Sequence, residues 1–380
     1  MMFTCKRFVV ASAAALVALS AAADAAKYDP RMALENSVTE KGVQWLDGRY
    51  LPLEGRMFTD VDRFYDRLPR NVTTNVNGGV RGMKCHSAGL QFRFRTDSPT
   101  LTFRWVPTGR GLAMDHMPAT GMSGIDVYQQ GDDGQWRYVK TGRIRPGAGN
   151  AWPTGTVSVA WTPNKPCLVN LPLYNGIQSF ALGVKPGSKI EALPPRASGV
   201  TKPVVFYGTS ITHGGCASRP GLAFPSIVGR TLDVPIVNLG FSGSGKMEFE
   251  MSEHLAAIDA SCYVLDCLWN MHDGLVKERY EPFIRNLRAK RPGVPSVMAE
   301  QCDVYCRPPC AKDVFIKALY EKLIAEGWKN LVYLPKDGMY TGDLEGTVDG
   351  CHPNDWGMMS MGKAFSVGVA QALNLPVPRK

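Results

Sequence analysis

The chain predicts an α/β unit built on a parallel sheet, preceded by an all-β sandwich of jelly-roll-like form. Three observations carry this expectation. From Val204 onward, short apolar runs alternate with amphipathic stretches of helical period, the rhythm of βαβ units. Before about residue 195, period-2 segments are separated by Gly/Pro-rich turns instead, as in sandwiches. Between the two halves lies Pro194-Pro195-Arg196-Ala197-Ser198-Gly199, rich in turn formers and poor in anything to bury, which reads as a connector.

Residues 1–26 stand apart from the fold. Lys6 and Arg7 precede the apolar run Phe8 to Leu19, and Ala21-Ala22-Ala23 and Ala23-Asp24-Ala25 both offer small-x-small cleavage patterns. This is the layout of a secretory signal peptide, so the mature protein is expected to be exported, periplasmic or extracellular. The run is short for a membrane span, and no later stretch approaches the ~20 apolar residues a spanning helix needs.

The β-sandwich is expected over residues 27–195. Leu90, Phe92 and Phe94 alternate with polar residues; after Asp97-Ser98-Pro99, Leu101, Phe103 and Trp105 alternate again. This pattern predicts a hairpin with one buried face. Trp136 to Val139, Val157 to Trp161, Leu168 to Leu171 and Phe180 to Val184 extend the set, with turns at 131–134 and 146–149. The α/β domain is expected over 200–380. Its strands are Val204 to Tyr207, Ile236 to Leu239, Cys262 to Leu265, Ser296 to Ala299 and Leu331 to Leu334. Amphipathic segments around 222–232, 249–259, 278–290, 313–326 and 356–374 predict helices on both faces of that sheet.

Composition bounds the function. The 380 residues are 44% hydrophobic and 20% charged, as in a globular protein with real cores. The formal charge of +9 would suit acidic polymers such as uronic-acid glycans. The cations are scattered, however, with neither a Lys/Arg block nor an aromatic-rich nucleic-acid motif, so no nucleic-acid partner is expected. The spacing of Cys302, Cys306 and Cys310 provides neither a CxxC pair nor a nearby His. It reads as buried thiols or a disulfide-tied loop before it reads as a metal site. Ser242-Gly243-Ser244-Gly245 lacks the GxxxxGK[ST] pattern of a phosphate loop.

Chemistry concentrates at two places. Gly208-Thr209-Ser210-Ile211-Thr212 directly follows the first parallel strand, where a sharp turn leaves a serine hydroxyl at the mouth of the sheet. Far downstream, Asp349-Gly350-Cys351-His352 sets a carboxylate three residues before an imidazole. Serine is a weak nucleophile until a base takes its proton, and a histidine oriented by a carboxylate does this at neutral pH. Two further blocks follow strands: Asn238-Leu239-Gly240-Phe241-Ser242-Gly243 and Leu268-Trp269-Asn270-Met271.

Taken in order, these four blocks resemble the SGNH (GDSL-like) hydrolases, a flavodoxin-like three-layer family, over about residues 200–375. Thr209 stands where Asp is usual and Leu268 where Gly is usual. Gly124-Ile125-Asp126-Val127-Tyr128 resembles the GxDLY signature of a sandwich domain found in one branch, with Val in place of Leu. The resemblance implies Ser210 as nucleophile, His352 as base and Asp349 as its orienting carboxylate. It implies an oxyanion hole made by the Ser210 and Gly243 amides and the Asn270 side chain, and neither metal nor organic cofactor.

The activity implied is carboxylic-ester hydrolysis, with an acylated carbohydrate as substrate and acetate as the simplest acyl group. Alternatives are deacylation of peptidoglycan, lipid or thioester, or a glycan-binding protein without catalysis. Arg219 and Trp356 are the candidate substrate contacts. His213 and Cys216 are expected to line the cleft with Arg219, and Cys216 and Cys351 to lie near enough for a disulfide. His272 and Asp273 are weaker cleft candidates. Oligomeric state is left open by the sequence.

Overall fold

The structure is a computed structural model that describes residues 37 to 377, apart from 73, 74, 304, 306 and 340. The expected signal peptide and Cys306 lie outside the described residues.

The amino-terminal half forms β1 (Val38–Glu40), β2 (Val43–Asp47), β3 (Leu53–Glu54), β4 (Gln91–Thr96), β5 (Thr100–Pro107) and β6 (Ile125–Gln130). It continues with β7 (Trp136–Gly142), β8 (Ile144–Arg145), β9 (Thr154–Ala160), β10 (Pro166–Asn170), β11 (Ile177–Val184) and β12 (Ile190–Ala192). One antiparallel sheet has the order β1-β2-β11-β5-β9-β8; the other runs β12-β4-β10-β6-β7, with β3 also on β4. The expected hairpin at 97–99 is not formed. β4 pairs with β10 and β12, whereas β5 pairs with β9 and β11, so the chain crosses between sheets at that turn. The alternation was satisfied differently: Phe92 and Phe94 of one sheet meet Phe103 and Trp105 of the other in the core between them. Period 2 reports a buried face, and an arch buries one as well as a hairpin does.

The second half is a five-stranded parallel sheet of β13 (Val204–Gly208), β14 (Ile236–Gly240), β15 (Cys262–Asp266), β16 (Ser296–Ala299) and β17 (Leu331–Leu334). Its order is β14-β13-β15-β16-β17. Around it lie α1 (Ser210–His213), α2 (Phe224–Leu232), α3 (Phe249–Ala256), α4 (Asp273–Lys290), α5 (Ala311–Ala325) and α6 (Asp355–Leu373). Alternate strand residues enter separate cores. Val205, Tyr207, Leu239 and Leu265 join α3, α4 and α5, while Val204, Phe206, Ile236 and Val264 join α2 and α6. Burial on both faces explains why these strands read as unbroken apolar runs.

The strand order reverses at β13, whose neighbours are β14 and β15. The loops leaving these three strands therefore diverge and open a crevice at their carboxyl ends. The sandwich half closes over part of this edge. Leu68, Val72, Val76 and Val80 enter one core of the α/β half, and Ala88, Met117, Leu173 and Tyr174 enter the other.

Candidate active site

Ser210 sits just past β13, at the first position of α1. Gly208 is needed there, since a Cβ would meet Thr212 Oγ1 at 2.0 Å and the Asp266 carbonyl oxygen at 2.5 Å. Thr209 caps the short helix: its Oγ1 accepts from the Ile211 amide at 3.2 Å, and its own amide donates to Thr212 Oγ1 at 3.3 Å. Threonine at this position thus closes a reciprocal cap. The Ser210 carbonyl is fixed by the Gly214 and Gly215 amides at 3.0 and 2.9 Å and by the Tyr174 hydroxyl at 3.0 Å. Locked by these contacts, Ser210 is 7% exposed.

His352 reaches it from the loop before α6. Its Nε2 lies 2.9 Å from Ser210 Oγ, and its Nδ1 lies 2.7 Å from Asp349 Oδ2. An ionised carboxylate only accepts, so Nδ1 carries the proton and Nε2 is free to accept from the serine hydroxyl. Asp349 is held in place through its other oxygen, which accepts from the His352 amide at 2.7 Å and the Cys351 amide at 3.0 Å. Partial burial pushes the Asp349 carboxyl up, but these amides and the imidazole outweigh it and hold the group at about 2. Asp349 does not cap α6; that role belongs to Asn354, which accepts from the Trp356 and Gly357 amides.

The turn after β14 faces the same serine loop. Gly243 has φ +63°, and a Cβ built there meets nothing within 4 Å. Glycine is required by backbone conformation, then, and not by crowding. The Ser244 and Gly245 amides both close onto the Phe241 carbonyl at 2.9 and 3.0 Å. The Gly243 amide makes no hydrogen bond among the described residues. Asn270 ends a 3-10 turn after β15, and its Nδ2 donates to the carbonyls of Phe241 at 3.2 Å and Gly245 at 3.4 Å. Asn270 and the glycine turn are therefore one unit.

Other expected contacts fall elsewhere. His213 does not line the cleft: it is fully buried, stacked on Tyr174 at 4.0 Å between ring centroids. Burial, with Arg67 and His86 nearby, drives its pKa well down and keeps it neutral. Arg219 donates to Asp126 at 2.9 Å and to the Tyr128 hydroxyl, and the Gly221 amide donates to the same Asp126 oxygen. Asp126 and Tyr128 belong to the GxDLY-like segment, so this arginine clasps the two halves and its charge is already answered. Trp356 is 59% exposed on the first turn of α6. Trp269 packs inward and donates to the Cys302 carbonyl, and His272 caps α4. Cys216 and Cys351 are both free, as are Cys302 and Cys310.

Two residues at the site had no signal in the sequence. Arg67, from the sandwich half, is completely buried without a carboxylate partner among the described residues. It donates to the Asn238 and Gly240 carbonyls at 2.9 and 3.1 Å and to that of Met83 at 3.0 Å. Burial lowers its pKa to about 9. His116, from a loop of the same half, lies edge-on to His352 at 5.4 Å, with Asp115 on its Nδ1 at 2.8 Å. Ligating atoms of His116, Cys216 and His352 lie within 4.8 Å of one another, a donor set suited to zinc. Such a metal would compete with Ser210 for His352. No helix among the described residues is long and apolar enough to cross a membrane.

Residues 201–369 match the GDSL-like lipase/acylhydrolase family, and residues 43–190 match the GxDLY domain, the N-terminus of SGNH-hydrolase-type esterases. The chain belongs to the GDSL-like (SGNH) acylhydrolase family. A candidate GDSL-like lipase from Bacteroides ovatus superimposes with TM-score 0.77 at 29% identity, over 89% of this chain and all of that one. The salicylyl-acyltransferase SsfX3 of a tetracycline biosynthetic pathway gives 0.68 at 18% identity, over 90% of this chain and 100% of its own. A family two carbohydrate esterase from Clostridium thermocellum, in complex with cellohexaose, gives 0.52 at 12% identity, covering 76% of this chain and 94% of that one. At such identities the last two speak for fold alone. No curated protein sequence matches the chain. The four blocks of this acylhydrolase thus meet at one end of one sheet.

Proposed function

We propose that this acylhydrolase is an exported serine esterase that removes acyl groups, acetyl in the simplest case, from carbohydrate. The observation that carries the chemistry is the continuous relay from Ser210 Oγ through His352 to Asp349, at 2.9 and 2.7 Å. Ser210 Oγ attacks the ester carbonyl carbon while its proton passes to His352 Nε2. Asp349, ionised down to about pH 2, stabilises the imidazolium. The carbonyl oxygen becomes an oxyanion that takes the Ser210 and Gly243 amides. Asn270 Nδ2 adds a third donor, because its long contacts to neutral carbonyls yield to a charged acceptor.

His352 then returns the proton to the departing alkoxide, leaving an acyl-serine and a free sugar hydroxyl. Water attacks the acyl carbon with His352 again as base, and the carboxylic acid and free Ser210 are restored. No step draws on a metal or cofactor. The carbohydrate assignment is supported by the amino-terminal secretion pattern and by the fold shared with a carbohydrate esterase. Mature protein should release 4-nitrophenol from 4-nitrophenyl acetate and acetate from an acetylated polysaccharide. Ser210→Ala should cut both by about 10³-fold or more. Polysaccharide bound equally by both proteins, with no acetate released by either, would instead identify a glycan-binding module.

A further inference from the structure

We infer that the groove beside the Ser210 loop binds an anionic glycan, carboxylated or sulfated, and holds such a polymer next to the nucleophile. The inference rests on the esterase reading above and concerns its substrate class. The groove, about 780 Å³, lies where the edge strand β7 of one sandwich sheet meets β8 and β9 at the edge of the other. The chain makes it basic with side chains left exposed along β7, β8 and the residue between them. Tyr138, Lys140, Arg143 and Arg145 point outward, while Gly142 and Ile144 are buried. Together with Arg219 they give four cations among the lining residues, and none of those residues is acidic.

Arg219 is paired with Asp126, and what distinguishes the other three, Lys140, Arg143 and Arg145, is the lack of acidic partners among the described residues. At the turn of the β6–β7 hairpin, by contrast, Asp133 pairs with Arg137, and Asp132 with Lys165 from the turn before β10. Arg143 and Arg145 have no ion pair among the described residues, and Lys140 Nζ reaches only the Ser158 carbonyl, at 3.0 Å. Unpaired like charges repel one another, an arrangement that an anionic ligand relieves. Tyr138 supplies a platform among them. Its ring is 49% exposed, with the Arg219 guanidinium 4.2 Å from its centroid, its edge against Tyr128, and its hydroxyl bonded to Thr141 Oγ1 at 2.9 Å. A fixed, half-exposed aromatic face between cations suits a sugar ring bearing acid groups.

The groove shares a wall with the candidate active site. Ser218, part of its lining, donates through its amide and hydroxyl to Asp355 at the start of α6, and Cys216, two residues earlier, sits against His352. A polymer leaving the groove past Ser218 therefore runs toward Ser210. Single-stranded nucleic acid is a poorer fit, since one tyrosine offers no series of stacking faces.

The test compares wild type with Lys140→Gln/Arg143→Gln/Arg145→Gln, residues outside the proposed catalytic machinery. Affinity electrophoresis would use polygalacturonate, chondroitin sulfate, neutral glucomannan and single-stranded DNA at low ionic strength, beside turnover of 4-nitrophenyl acetate. At least one anionic glycan should retard the wild type, with affinity about tenfold weaker in the triple variant and weakened by salt. Glucomannan mobility and 4-nitrophenyl acetate turnover should be unchanged. No retardation by either anionic glycan, equal retardation of both proteins, or DNA bound as tightly as the glycans would overturn the inference. Absence of 4-nitrophenyl acetate turnover in the wild type would count against the esterase reading alone and leave the binding comparison intact.

Discussion

Two imidazoles stand on either side of the serine loop, and they are equipped for different work. His352 lies near the surface, with an ionised carboxylate on one ring nitrogen and a hydroxyl on the other. His213, three residues after Ser210, is sealed beneath the same loop, stacked on Tyr174, with Nε2 3.4 Å from His86 Nδ1 and 3.5 Å from Arg67 Nη2. No carboxylate among the described residues faces His213, and burial keeps both it and His86 neutral, His86 at about 3. A proton arriving on His213 would meet a buried guanidinium; one arriving on His352 meets Asp349. Residue type is the same at both positions, and the neighbours decide which ring can cycle a proton.

The strongest way to break this comparison is to alter each ring's surroundings in turn. Asp349→Asn should lower kcat for 4-nitrophenyl acetate by about 10³- to 10⁴-fold, since the imidazolium loses its counter-charge and its tautomer is no longer fixed. His213→Phe, which preserves the stack on Tyr174, should leave kcat within about threefold. Comparable losses in both variants would erase the distinction drawn here.

Stability measurements sharpen it further. Arg67→Met leaves the carbonyls of Met83, Asn238 and Gly240 without their donor and should cost roughly 3 kcal/mol in urea unfolding, despite removing a buried charge. No loss would mean that the guanidinium is tolerated instead of required. Asp266 provides a pH test. Burial raises its pKa from 3.8 to about 7, against the hydrogen bond from Thr212. Its neutral form is favoured in the folded state, so its contribution is full below pH 3.8 and is lost as pH rises through 7. Asp266→Asn should remove a loss of about 2–4 kcal/mol between pH 4 and 8; an unchanged slope would place the titration elsewhere. Smallest of all, Gly243→Ala should cost about 1–2 kcal/mol from its positive φ, and Gly243→Asn less, because no Cβ clash awaits either. Equal costs would point to crowding instead.

The parallel sheet was legible almost to the residue because each strand is buried on both faces and each helix on one, so burial writes itself into hydrophobic pattern. The expected strand Val204 to Tyr207 lies within Val204–Gly208, and the last helix, expected at 356–374, is Asp355–Leu373. The sandwich was legible as strands but not as partners: alternation at 90–105 fixed which side chains face inward and left open which strand lies alongside. Ser210, His352 and Asp349 were legible as blocks, and their side chains meet; Asn270 and Gly243 were legible too, and Asn270 bonds to the turn that carries Gly243. Arg67 and His116 were not, since each is brought to the site by the packing of one half on the other. His213 misled because adjacency to a serine in sequence says nothing about which way a one-turn helix points its side chains. The ion pair of Arg219 was not legible, because the acid that claims it, Asp126, is distant in sequence and buried.

The most direct measurement of the central claim is covalent labelling with a fluorophosphonate followed by peptide mass spectrometry. One adduct per chain, located on Ser210 and greatly slowed in Asp349→Asn, is the result expected of a serine activated through His352. Labelling of a different residue, or of Ser210 at the same rate in both proteins, would contradict it.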